Sequence, residues 1–206
     1  MGWLAAIVAV LGAALWGPAV SQVEQAPYTV AEQHGSIEIR DYAASIVAEA
    51  RERGEREAAI NAGFRTIADY IFGNNLAPRD TAPGAAQAQQ QSATIAMTAP
   101  VTQQAAADAS WRVRFVMPAR YTLASLPTPR NPAVQLLAVP ARRCAVIRFA
   151  GRAGAASLEQ HTQELQDFLA TRHLVAQAPP IYAFYNPPWT LPFLRRNEIL
   201  IEIGGS

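Results

Sequence analysis

Only two stretches of this chain carry the spacing of an amphipathic helix; the other patterned stretches alternate with a period of two. In the first helical stretch, Glu55 to Phe72, Ile60, Phe64, Ile67 and Ile71 fall at i, i+4, i+7 and i+11. Glu55 and Glu57 suit its positive end, and Gly73-Asn74-Asn75 offers left-handed residues to stop it. The second has Ser157 as N-cap with Gln160 at N3, a capping box, and turns Leu158, Leu165, Phe168 and Leu169 inward before ending near His173. Around them, strands are predicted at Tyr28–Glu32, Ile37–Tyr42, Ser45–Arg53, Trp111–Met117, Val134–Val139, Arg143–Phe149 and Ile181–Asn186, with a last one carrying Ile199, Ile201 and Ile203. Ile37 and Ile39 face one way and Glu38 and Arg40 the other, which predicts one wet face there. The order is strands, helix, hairpin, then strands, helix, two strands. It predicts an α+β fold: a distorted antiparallel β-barrel built from two pseudo-repeated strand-helix-strand units with two flanking helices, and a ligand in the concave space between them.

Between the halves lies Thr94-Ile95-Ala96-Met97-Thr98-Ala99-Pro100-Val101. Its alternation of larger and smaller residues predicts a strand that ends or reaches an edge at Pro100 and forms a hairpin with Trp111–Met117. Residues 77–92 are dominated by Pro, Gly, Ala and Gln and read as a mobile loop. Pro127, Pro129 and Pro132 exclude a helix from the later connection.

The 206 residues allow one domain with a short appendage, and at 16% charged they suit a globular body. A formal charge of +1, with every cation an arginine and none clustered with aromatics, argues against nucleic acid as a partner. Cys144 is the only cysteine, so an internal disulfide is excluded and a buried strand residue is expected. Gly2 to Val20 contains no charged residue. Residues 1–21 are therefore expected to be a signal peptide or a membrane anchor, followed by a linker at 22–27 and a domain at 28–206. Either reading gives a periplasmic or secreted protein, or one anchored in a membrane through residues 2–20.

The string Ile95-Ala96-Met97-Thr98-Ala99-Pro100-Val101 resembles a signature of the SOUL haem-binding protein family. Four other strings resemble that family in the same order: Ile37–Tyr42, Gly63-Phe64 with Tyr70-Ile71-Phe72-Gly73, Phe115-Val116-Met117-Pro118, and Tyr185-Asn186-Pro187-Pro188-Trp189 followed by Arg195-Arg196-Asn197-Glu198. The resemblance implies a distorted barrel with two helices that binds haem or a related tetrapyrrole, without holding it firmly, in a shallow apolar groove for buffering, transport or sensing. It implies a groove on one face of the first helix and the loop before the last strand, here Asn61, Phe64, Ala68, Tyr185, Trp189, Phe193 and Arg195. Arg195 or Arg196 would meet a propionate, for which a guanidinium fork is well shaped. Where some members carry a proposed axial histidine this chain has Asp41, a poorer partner for iron, which leaves the metal ligand open. Met97 offers a soft thioether instead, and His34, His161 and His173 read as turn or outer-helix residues.

A second reading stays open beside the first. The related effector-binding fold includes hydrolases of small electrophiles, and Glu198, Tyr185 and Tyr70 would supply acid and phenolic groups for such chemistry. The chain shows no nucleophile and base pair, phosphate loop or metal motif. The number of subunits is not readable from it.

Overall fold

In this computed structural model residues 23–78 and 91–204 are described; the apolar segment 1–21 and positions 79–90 of the proline- and glutamine-rich loop lie outside them. The described elements are β1 (Tyr28–His34), β2 (Ile37–Tyr42), β3 (Ser45–Arg53), α1 (Arg56–Ile71), β4 (Asn75–Leu76), β5 (Val101–Ala105), β6 (Ser110–Val116), β7 (Thr128–Pro129), β8 (Gln135–Val139), β9 (Arg142–Phe149), α2 (Ala155–Thr171), β10 (Ile181–Phe184) and β11 (Asn197–Ile203). Nine strands form one antiparallel sheet in the order β1-β2-β9-β11-β10-β5-β6-β3-β8, strongly curled into a half-barrel, while β4 pairs with β7 apart from it. Exchanging β2, β3, β5 and β6 with β8, β9, β10 and β11 reverses the order from β2 to β8 and leaves it unchanged.

Both helices lie on one face. The pairings Phe115↔Val101, Val101↔Phe184, Phe184↔Asn197 and Asn197↔Phe149 set these residues in one row across five strands, and directly paired residues point to the same side. Phe115 belongs to the core under α1, with Ala48, Ala50, Ile67, Ile71 and Val113. Phe149 belongs to the core under α2, with Ile147, Leu158, Leu165, Ile199 and Ile201. Each buried Ile or Leu contributes about 1.5–3 kcal/mol by leaving water, so the two stripes fasten the helices where the spacing predicts. The helix-to-sheet approach is closest at Gly63, where an added Cβ would lie 2.6 Å from Val113 Cβ. The sheet's opposite face is covered in part by a third cluster, Tyr42, Cys144, Val146, Ile181, Ala183, Tyr185 and Leu200, on which Val23, Ala26 and Tyr28 also pack.

Three expectations are corrected. Thr94 to Val101 is not a strand. The Ile95 N–H donates to the Ile71 carbonyl at 2.8 Å, Ala99 forms an isolated parallel bridge with Gln25, and β5 begins only at Val101, after the cis Ala99–Pro100 bond. The stretch carries the chain from the end of α1 to the sheet, so its neighbours change along its length. Ile95 and Ala99 are buried while Met97 between them is 39% exposed, and the residue alternation is not a burial alternation. Its hairpin is made instead by β5 with β6.

The second correction concerns β2, whose supposed wet side holds Arg40 at 2% exposure, in the charged cluster described below. The third is the capping box. α2 begins at Ala155 with Gly154 as an extended N-cap that makes no side-chain bond, so Ser157 and Gln160 stand inside the helix. The first-helix stop is as expected, with Gly73 at φ +125°.

Candidate functional site

Between the two helices the sheet is roofed only in part, and β5 and β10 floor this seam. Arg56 closes one end: its guanidinium donates to Gln103 Oε1 and, across the seam, to the Ala153 carbonyl, both at 3.4 Å, while Gln103 Nε2 donates back to the Arg56 carbonyl at 2.7 Å. A hollow of about 380 Å³ sits there, lined by Arg56, Leu158, Thr162, Gln163 and Tyr182.

Toward the other end the seam is apolar. Phe64, on the outward edge of the α1 stripe, is 38% exposed and its ring lies 5.3 Å from that of Phe115. Val101 and Phe184 continue the row, each half-buried. Beyond Phe184 the connection to β11 exposes Trp189 (66%), Leu191 (44%), Phe193 (71%) and Leu194 (45%) within six residues. Soluble proteins rarely gather so much bare apolar surface without a partner for it. The loop is nonetheless fixed. Arg195 donates through Nε to the Thr190 carbonyl at 2.7 Å and through Nη2 to the Pro188 carbonyl, and the Asn186 side chain accepts from the Arg196 N–H at 2.7 Å.

The residues expected at the site divide accordingly. Asn61 is exposed on α1 beside Phe64, whereas Ala68 is buried and lies beneath the surface. Tyr185 points away from the seam: it packs in the cluster on the opposite face, 8% exposed. Asp41 stands on β2, five strands from β6, about 24 Å along the sheet at ~4.8 Å per strand. There it forms a bidentate pair with Arg143 at 2.7 and 2.8 Å, and that hydrogen bonding holds its carboxyl below the ordinary range. The histidines are placed elsewhere too. His34 and Arg172 both reach Glu32, His161 stacks on Phe149 at 4.2 Å, and His173 follows α2 with φ +55°. Val101, Phe184 and Arg56 were not singled out in the sequence. The parity of Ile181, Ala183 and Tyr185 against Tyr182 and Phe184 is the signal that finds Phe184 on the helix side.

Opposite the helices, Glu198 is fully buried with both oxygens saturated. Oε1 accepts from Arg40 Nη2 at 3.1 Å and from Arg196 Nε and Nη2 at 3.0 and 2.8 Å; Oε2 accepts from Arg40 Nη1 at 2.9 Å and the Tyr185 hydroxyl at 2.7 Å. Burial favours the neutral acid and is the largest single influence, but the two guanidiniums and the phenol together outweigh it and hold the carboxyl below its usual value. Burial and the adjacent Glu198 charge push the Tyr185 phenol well up. Tyr70 belongs to a different place, donating to the Pro127 carbonyl at 2.8 Å under α1, with its phenol pushed to about 12 by burial. Of the phenols considered for hydrolysis, Tyr185 meets Glu198 only as a hydrogen-bond donor and Tyr70 lies elsewhere, and Glu198 has no lone pair left for a substrate proton. Cys144 is buried, and desolvation raises its thiol to about 11, so it is no thiolate nucleophile at neutral pH. Among the described residues no three of His, Cys, Asp and Glu gather as a metal site, and no helix is long and apolar enough to cross a membrane.

The fold recurs in solved structures. The crystal structure of the EcmrR C-terminal domain aligns with a TM-score of 0.60 at 10% identity, over 87% of this chain and 99% of that one. The EcmrR chain of an EcmrR–DNA complex aligns with a TM-score of 0.58 at 11% identity, over 82% of this chain and 57% of that one. A hydrolase from Listeria innocua gives 0.53 at 13% identity, over 84% and 94%. At such identities the likeness concerns the fold alone. No curated protein matches by sequence. The family model described as SOUL heme-binding protein matches residues 23–202, which takes in both helices and the curled sheet but for its last residue, Ile203, and the chain belongs to that family.

Proposed function

We propose that this protein binds haem or a related tetrapyrrole reversibly at the apolar end of the seam, as an exported or membrane-tethered buffer, carrier or sensor. The family is defined by a ligand and not by a reaction. The observation that carries the site is the exposed Phe64 on α1 and the exposed Trp189, Leu191, Phe193 and Leu194 of the loop before β11, with half-buried Val101 and Phe184 on the strands between α1 and that loop. A flat macrocycle laid there would cover rings on both sides of the seam, and aromatic faces suit it by offset stacking. Asn61 would border the ligand on α1, with Ala68 behind it. Tyr185 would act from below, holding the loop base through Glu198 and Arg196. Arg195, which spends two N–H groups on shaping the loop, would offer the remainder of its fork to a propionate. Met97, exposed in the segment that leads to β5, would be the soft donor for iron where one is used.

The site is tested by titrating the full chain in detergent with haemin and following the Soret band against micelles alone. Wild type is expected to saturate, and Trp189→Ala combined with Phe193→Ala to bind at least tenfold more weakly while unfolding at the same temperature, since these two side chains are 66% and 71% exposed. Equal affinity in the two proteins would overturn the site. For the uncharged run Gly2 to Val20, extraction of native membranes with alkaline carbonate separates the alternatives. An anchored chain stays in the pellet at full length. A cleaved one is released and starts near Gln22.

A further inference from the structure

We propose that the sheet face turned away from the helices carries a second site, formed by Arg51, Arg112 and Arg114, that takes a phosphate or phosphate monoester. It lies across the sheet from the seam and does not rest on the tetrapyrrole reading.

The register brings the three arginines together. Arg51 on β3 is directly opposite Arg112 on β6, and Glu49 is directly opposite Arg114; on the other flank Gln104 and Thr102 of β5 pair with Arg112 and Arg114. Residues two apart share a face, and the core residues Ala48, Ala50, Val113 and Phe115 take the helix side. The arginines therefore share the other side. Glu49 is 1% exposed and is the carboxylate inside this patch, accepting from Arg114 Nε at 2.6 Å and Arg51 Nε at 3.1 Å. Both of those bonds use Nε. Asp108, the next acid, has its Oδ1 committed to the Ser110 hydroxyl and N–H.

Arg112 is the anomaly. Its Nε is sealed from water with no hydrogen-bond partner, and it makes no ion pair among the described residues. Placing like charges directly opposite on neighbouring strands is unfavourable, and so is burying a cationic donor unpaired. Burial first, and then the neighbouring Arg114 and Arg51, pull its guanidinium below the ordinary value against the help of Glu49 and Asp108. Counting Arg53, two residues beyond Arg51 on the same side, and Asp108, four guanidiniums against two carboxylates leave a surplus of two positive charges (4 − 2 = 2). A phosphate dianion matches that surplus, and planar forks suit its oxygens. A fold that keeps such repulsion without a ligand loses stability at this point, and an oxyanion would return it.

Calorimetric titration of the full chain in detergent at pH 8 with inorganic phosphate, against sodium chloride at equal ionic strength, tests the site. Saturable heat with phosphate alone is expected, accompanied by a higher unfolding temperature. Arg112→Gln should weaken phosphate binding at least tenfold, and without phosphate it should unfold at the wild-type temperature or above, because one of three repelling charges is gone. Phosphate that acts no differently from chloride overturns the site. So does an Arg112→Gln protein that unfolds earlier than wild type in phosphate-free buffer, or does not fold, which would mark a structural arginine.

Discussion

Glu198→Gln is expected to cost about 3–5 kcal/mol of folding stability, because it removes the fully buried carboxylate that Arg40 and Arg196 share and leaves Arg40, sealed from water, with Glu38 as its remaining ion-pair partner. For a domain of this size that is a fall of roughly 6–20 °C in the midpoint of thermal unfolding, at about 2–4 °C per kcal/mol. The effect also has a pH signature. A carboxyl held below its ordinary 4.5 in the folded state contributes stability that is complete above the unfolded value and is lost as pH falls through the folded one. The gap between wild type and Glu198→Gln should therefore be widest near neutrality and narrow below about pH 4.5. Thermal melts of both proteins from pH 7 down to 3 measure it. A constant gap would mean that the glutamine acts through shape and not through charge.

Gly63→Ala is expected to cost about 3 kcal/mol, at the upper end for overpacking, although alanine is the better helix former. The new methyl would stand 2.6 Å from both Cβ and Cγ2 of Val113. Those atoms are fixed by a β-branched side chain in the middle of β6, so relief requires α1 to lift from the sheet. Denaturant unfolding measures the loss, and Val113→Gly in the same chain should lower the further cost of Gly63→Ala by removing both of those atoms. A Gly63→Ala protein as stable as wild type would show that the helix can shift at little cost.

These two sites mark where the sequence was readable and where it was not. The stripe Ile60, Phe64, Ile67, Ile71 and the strands on either side follow from spacing, because the apolar period is a local property that packing then honours. Arg40 misleads, since Ile37-Glu38-Ile39-Arg40 reads as a strand with a wet side. Glu38 and Tyr42 beside it supply part of its bonding, but the buried carboxylate that takes both ends of its fork is Glu198, 158 positions later, and no local pattern announces it. Thr94 to Val101 misleads differently: residues of alternating size suggest a strand, but the segment links the end of α1 to the sheet and pairs with almost nothing. At the candidate site, Phe64, Trp189 and Phe193 came from family resemblance, and spacing alone favoured Phe64 as core. That resemblance also drew in Tyr185, which the fold turns to the other face. Phe184 and Val101 become neighbours only through pairing between distant strands.

The strand order has a mechanical consequence. Each half of the chain lends an outer strand to the other: β2 lies against β9, and β8 against β3, while β5 and β10 join at the centre. The halves are thus clasped at three seams rather than laid side by side, and neither can complete its own sheet. A chain knitted this way cannot build one half's sheet without strands of the other, so a force that bends one helix toward the other is carried by strands of both halves.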